Sequence, residues 1–290
     1  MSLSVKQLHN NIGAQISGLD LTNHIEPSHF EQILKALYQY QMLVFPNQKI
    51  SQLNMLEFSK YFGRPEIFPD PTEHTGEAPE ILRLTNLDMN GVPFGPSPRM
   101  ARMSLAENWH TDSSYRKVPS FVTLLHGIEV PKVSGDTDFT SMHASYDGLT
   151  STLKNKIENL VAIHSWEYQR TLSPGRQPMT EAERKSTPPA HHRLVQLHPN
   201  TGRKLLYISS SALSIEGMDM AQSRELIDEL TRYSTLPQMT YTHHWKSLDL
   251  VMWDNRATLH RAAGFDYQST TLRRLLHRIV ISGNPDAYSH

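Results

Sequence analysis

Two periods of apolar positions run through the chain. From about Pro27 the residues Phe30, Ile33, Leu34, Leu37 and Tyr38 recur at three- and four-residue spacing, which predicts a helix with one buried face. "MLVFP" then predicts a buried strand stopped by Pro46. "SQLNMLEFSKYFG" predicts a second helix, with Ser51 as N-cap and Gly63 as its stop. Strands are expected at 121–130, 193–199, 204–209, 239–245, 249–255 and 272–282, and helices at about 143–159 and 219–233.

Residues 86–107, rich in Pro, Gly and Met, and residues 169–192 show no sustained period. Unpatterned segments of that length are often lids over a site, or else surface insertions. Many strands separated by turns, with helices at the start and in insertions, predict a mainly β protein. The expected core is a β-sandwich or a jelly roll (double-stranded β-helix), flanked by α-helices, in a single domain over 1–290.

Composition narrows the chemistry. With a formal net charge of -1 there is no basic face for nucleic acid or a membrane surface. No apolar run approaches a membrane span and no signal pattern opens the chain, so the expectation is a cytoplasmic enzyme acting on small molecules. The chain has no cysteine, which excludes disulfides, thiolate metal sites and cysteine nucleophiles. Any metal must be held by His, Asp or Glu, which suits iron, manganese or zinc.

"NWHTDSSY" places His110 and Asp112 two positions apart. At a strand end such residues point the same way, so imidazole and carboxylate can meet one ion. With 16 histidines, such triplets also arise by chance. His24-Ile25-Glu26 and His29-Phe30-Glu31 are two more, at the first helix, and are expected to be surface residues. About 150 residues later, His260 closes an apolar stretch. The strand after it carries Arg274 and Arg278 at shared parity, either a salt-bridged strand or two guanidiniums aimed at carboxylates.

"NWHTDSSY", "SGDTDF", "DLVMWDNRATLHR" and "LRRLLHR", in that order and within a match over nearly the whole chain, resemble the taurine dioxygenase and 2,4-dichlorophenoxyacetate dioxygenase family of iron(II)- and 2-oxoglutarate-dependent oxygenases. The resemblance implies His110, Asp112 and His260 as ligands of Fe(II), with Thr137 and Arg274 holding 2-oxoglutarate. It further implies Arg278 as the grip on the anionic end of a small carboxylate or sulfonate substrate. O2 is the second reactant, and a dimeric or tetrameric assembly is compatible with the family. The loop between His260 and Arg274 is slightly longer than in the taurine enzyme, and residues 64–107 match poorly, so substrate contacts other than Arg278 are not assigned.

Two other classes stay open on the residues alone. A zinc hydrolase on the same His-Asp-His set would activate water, leaving Thr137 and the arginines without a role. A non-catalytic jelly-roll module for a small anion would use the arginines but not all three ligands.

Overall fold

The computed structural model describes residues 3–68, 74–76, 78–173 and 177–285. Strands β1 (Ser4–Gln7), β2 (Ala14–Ser17), β3 (Met42–Phe45), β4 (Leu82–Thr85) and β5 (Val122–Glu129) come first. They are followed by β6 (Asp136–Ser141), β7 (Val161–His164), β8 (Ala190–Arg193), β9 (Val195–Leu197) and β10 (Lys204–Leu206). The last five are β11 (Ala212–Ile215), β12 (Thr240–His243), β13 (Leu250–Asp254), β14 (Thr258–Ala263) and β15 (Leu275–Val280).

A seven-stranded sheet has the order β1-β2-β3-β13-β5-β15-β4, and a three-stranded sheet the order β12-β6-β14. Alternation explains how they stack. Val44, Leu125, Val251, Trp253 and Leu276 of the large sheet share one buried cluster with Phe139 of β6, so the two sheets face each other. The intervening residues Leu43, Phe45, Leu124, Leu250 and Met252 point the other way, into a cluster with Ile33, Leu37, Met55 and Phe58. The last four belong to helices α1 (Pro27–Tyr40) and α2 (Gln52–Lys60), which cover the outer face of the large sheet. This is the expected jelly roll with flanking helices. Ser51 caps α2 as expected, its side chain accepting from the Asn54 amide, a device worth about 1 kcal/mol.

Several boundaries differ from the sequence expectations. Helix α2 ends at Lys60, three residues before Gly63. The segment 86–107 is not structureless, since it contains α3 (Pro98–Met103) and a 3-10 turn over Ser104–Glu107. The helix expected over 143–159 is two, α4 (Met142–Gly148) and α5 (Ser151–Ile157), because Gly148 closes one and the Thr150 side chain caps the other. In 169–192, α6 (Trp166–Thr171) runs in, α7 (Glu181–Ser186) sits in the middle and β8 runs out; residues 174–176 lie outside the described residues. The stretch 193–199 breaks at Leu194, where β8 leaves β7 and β9 joins β10. Helix α8 (Met220–Ser234) packs Leu226, Ile227 and Leu230 onto a second core with β10 and β11. Among the described residues, no helix is long and apolar enough to cross a membrane.

Candidate metal centre and anion-binding cavity

His260 does not end an extended β13. The chain turns at Asn255–Ala257 and re-enters as β14, paired with β6, so that His260 lies opposite Phe139. His110 forms an isolated antiparallel bridge with His260: each backbone N–H donates to the other's carbonyl, at 3.0 and 2.8 Å. This brings the two rings to 4.2 Å between centroids. Asp112 follows in a tight turn and points back. Its Oδ1 lies 4.0 Å from His110 Nε2 and 3.9 Å from His260 Nε2.

The donor set fits a divalent cation. Two ligand atoms at about 2.1 Å from one ion can lie up to about 4.2 Å apart, and Asp112 Oδ1 lies inside that limit from both Nε2 atoms. His110 Nδ1 is 2.7 Å from the Asn108 carbonyl, which can only accept, so Nδ1 carries the proton and Nε2 keeps its lone pair. Burial pushes the pKa of His110 down, and that of His260 well below the ordinary value, with each other's proximity adding to it at His260. Burial alone would raise Asp112, but Arg278, the two histidines and the Thr123 hydroxyl together hold it well below the usual carboxylate range. Neutral imidazoles beside an ionised carboxylate are the protonation states that metal binding requires.

The supports of Asp112 were not visible in the sequence. Thr123 Oγ1 donates to Asp112 Oδ2 at 2.6 Å, and Asn255 Nδ2 donates to Thr123 Oγ1 at 2.9 Å. Asn255 Oδ1 in turn accepts from Trp253 Nε1 at 2.9 Å. The Trp253 ring packs on His260 at 4.6 Å. Of these residues Trp253 and Asn255 lay in a quoted motif, "DLVMWDNRATLHR", and Thr123 did not.

The triad lies in the wall of a cavity of about 290 Å³ between the sheets, and Thr137, Arg274 and Arg278 line the same cavity. Arg278 Nη2 sits 2.6 Å from Asp112 Oδ1. Thr137 Oγ1 accepts from Trp245 Nε1 at 3.0 Å, which leaves its own proton to donate. Strand β15 begins only at Leu275, and its register against β5 shifts between Leu275 and Leu276. The extra residue of this bulge, Ile128, lies on β5, so the alternation along β15 is unbroken; Arg274, one residue before the ladder, lines the same cavity as Arg278, in keeping with their shared parity. The Arg274 backbone is fixed by Thr85 Oγ1 donating to its carbonyl at 2.7 Å and by its amide donating to Asn86 Oδ1 at 2.9 Å.

The Arg274 side chain is buried over the Phe265 ring, 5.7 Å from its centroid. Burial lowers its pKa, an effect that Tyr267 and Asp136 partly offset. Among the described residues, no hydrogen bond reaches its guanidinium. Gly135, at φ +80, passes so close that a Cβ there would lie 3.2 Å from Arg274 Nε. Leu82, Leu84, Leu125 and Val280 supply apolar wall, and Tyr115 packs against Trp166 at 4.7 Å.

Other histidines are engaged away from the triad. His191 and His192 diverge, one to Glu216 and the other to the Arg116 carbonyl. His243 faces Asp249 and His244 faces Asp136. His277 points away from the cavity into the large sheet, opposite His126 and Arg83.

Comparison with known proteins agrees with this geometry. Residues 4–280 match the family model described as taurine catabolism dioxygenase TauD, TfdA family. The alpha-ketoglutarate-dependent 2,4-dichlorophenoxyacetate dioxygenase of Burkholderia sp. (strain RASC) is 32% identical over 98% of this chain and 95% of its own. Pentalenolactone F synthase of Streptomyces avermitilis is 33% identical over 93% of this chain and 90% of its own. The crystal structure of AAD-2 in complex with Mn(II) and N-oxalylglycine superposes with a TM-score of 0.88 at 33% identity, covering 98% of both chains. The chain belongs to the TauD, TfdA family of 2-oxoglutarate-dependent non-haem iron dioxygenases.

Proposed function

We propose that His110, Asp112 and His260 hold Fe(II), that Thr137 and Arg274 hold the distal carboxylate of 2-oxoglutarate, and that Arg278 grips an anionic group of the primary substrate. The observation that carries this reading is Arg274, a buried guanidinium with no hydrogen bond among the described residues, in the wall of the cavity that also holds the triad. A buried cation in that setting calls for a bidentate carboxylate partner. A zinc hydrolase on the same ligands leaves Arg274 and Thr137 without work. A passive anion-binding module leaves the three converging ligands unexplained.

When bound, Fe(II) and 2-oxoglutarate supply, with O2, the oxidising power for an unactivated C–H bond and release succinate and CO2. The chain's own part is placement. Arg274, held by Thr85 and Asn86, and Thr137, held by Trp245, fix one end of the co-substrate. Arg278 anchors the substrate beside Asp112, and the apolar wall excludes water. The substrate is a small carboxylate or sulfonate, in keeping with the 2,4-dichlorophenoxyacetate named for one relative. Leu105 and Ala106 line the cavity from one aperiodic segment and Gln169 from the other, which supports reading 86–107 and 169–192 as lids within a single domain over 1–290. On this reading the enzyme works in the cytoplasm without a nucleic-acid or membrane partner, and a dimer or tetramer accords with it.

The test is succinate formation from 2-oxoglutarate with Fe(II) under air, across a panel of small carboxylates and sulfonates that includes their esters. Succinate that rises with one class of anion, and is lost in Asp112→Ala, is the expected result. Metal-dependent hydrolysis of an ester in the panel with no succinate formed would replace this reading by the hydrolase.

A further inference from the structure

Three consecutive serines, residues 209–211, lead into β11 and lie against the segment that carries His110 and Asp112. They do not line the cavity. Ser210 N donates to the Trp109 carbonyl at 3.0 Å, and Thr111 N donates to Ser209 Oγ at 3.3 Å, so His110 is bracketed on both sides. Ser211 Oγ lies 2.7 Å from Ser114 Oγ and 2.8 Å from His164 Nδ1. Ser114, Ser211 and His164 are each 0% exposed. Farther along, His192 Nε2 donates to the Arg116 carbonyl at 3.0 Å. His164 ends β7, His192 lies in β8 and Ser211 precedes β11. The sheet of order β11-β7-β8, which supplies no metal ligand, thus backs the whole turn 109–116.

That turn needs a backing. Ser113, next to Asp112, has φ +58, the left-handed region, which costs a residue other than glycine about 1–2 kcal/mol. Such a conformation persists only where its surroundings over-determine it. We propose that residues 209–211 form a serine clamp on the ligand-bearing segment, and that Ser211 is a positioning residue setting the spacing of Asp112 from His110. Removing its hydroxyl leaves Ser114 Oγ and His164 Nδ1 buried without the partner they share, which favours relaxation of the turn at Ser113. The inference rests on the metal-site reading above.

The test is titration of the metal-free full-length chain with Mn(II), following free ion by electron paramagnetic resonance, in wild type, Ser211→Ala, Ser211→Thr, Ser209→Ala and Asp112→Ala. Supporting partners of metal ligands typically change affinity about 10–100-fold. Ser211→Ala should therefore bind Mn(II) at least tenfold more weakly with an unchanged far-ultraviolet circular dichroism spectrum. Ser211→Thr, which keeps the hydroxyl, should recover most of the loss. Ser209→Ala gives an independent reading of the clamp should Ser211→Ala fail to fold, and should weaken binding in the same direction. Wild-type affinity in both alanine variants, with binding lost in Asp112→Ala, would overturn the clamp alone. Binding that survives Asp112→Ala would overturn the metal-site reading and the clamp with it.

Discussion

Arg278 Nη2 lies 2.6 Å from Asp112 Oδ1, the same oxygen that faces the Nε2 atoms of His110 and His260. The guanidinium thus neutralises the one formal charge of the triad, from the position assigned to the substrate's anion. An anion arriving at Arg278 competes with Asp112 for it, so substrate binding and the electrostatics of the metal site are linked. In Arg278→Gln the metal-free protein should be less stable by up to about 3 kcal/mol, because a buried carboxylate loses its partner. Mn(II) should still bind, at least as tightly as in wild type, and restore the lost stability, while the half-saturating substrate concentration rises tenfold or more. Thermal melts with and without Mn(II) check the first part. A tenfold loss of Mn(II) affinity would contradict it.

Arg274 should behave differently. Arg274→Ala should weaken 2-oxoglutarate binding by about 2–5 kcal/mol, the usual effect of truncating one partner of a buried charge pair, with Mn(II) affinity retained. Arg274→Lys should recover little, because a single ammonium cannot reproduce the planar two-point contact. Calorimetric titration with 2-oxoglutarate in the presence of Mn(II) separates the two proteins, and full recovery by lysine would argue against bidentate pairing.

Thr123 reaches Asp112 through its hydroxyl alone, so Thr123→Val keeps the shape and removes the hydrogen bond. Metal affinity should fall about tenfold or more, and the metal-free protein should melt lower because Asn255 Nδ2 is left buried without its acceptor. An unchanged Mn(II) titration would show that the Asn255–Thr123–Asp112 chain does not orient the ligand.

His277 gives a pH dependence away from the site. Burial, reinforced by His126 and Arg83, pushes its pKa down to about 4, whereas an exposed histidine titrates near 6.5. The folded state therefore holds it neutral while the unfolded chain takes up a proton. Its contribution is complete above about pH 6.5 and is lost as pH falls through about 4, a difference on the order of 3 kcal/mol. In urea unfolding, His277→Leu should lose less stability than wild type between pH 7 and pH 4.5. Equal losses in the two proteins would assign the acid sensitivity elsewhere.

How far these features could be read from the chain varies with the kind of signal each leaves. His110, Asp112 and His260 stood out because three chemically matched residues fell in ordered motifs. Strand β6, "DTDFTS", left little trace, because Thr137, Asp138, Thr140 and Ser141 are buried polar residues satisfied by tertiary partners. The turn between β13 and β14 is marked by the polar run Asp254-Asn255-Arg256, which reads as an exposed loop but is buried in the structure. The parity of Arg274 and Arg278 led to the right cavity, since the bulge beside them adds its extra residue to β5 and leaves the alternation of β15 intact. The supports at Thr123 and Ser209–Ser211 depend on contacts between distant segments, which single-chain patterning does not carry.

The central claim is that one Fe(II) and one 2-oxoglutarate bind together at His110, Asp112 and His260, with Arg274 behind them. Anaerobic titration of the metal-free protein with Fe(II) and then 2-oxoglutarate, followed in the visible region, tests it most directly. The account predicts a weak metal-to-ligand charge-transfer band that needs both additions and disappears in His260→Ala. No band, or a band that persists in His260→Ala, would contradict it.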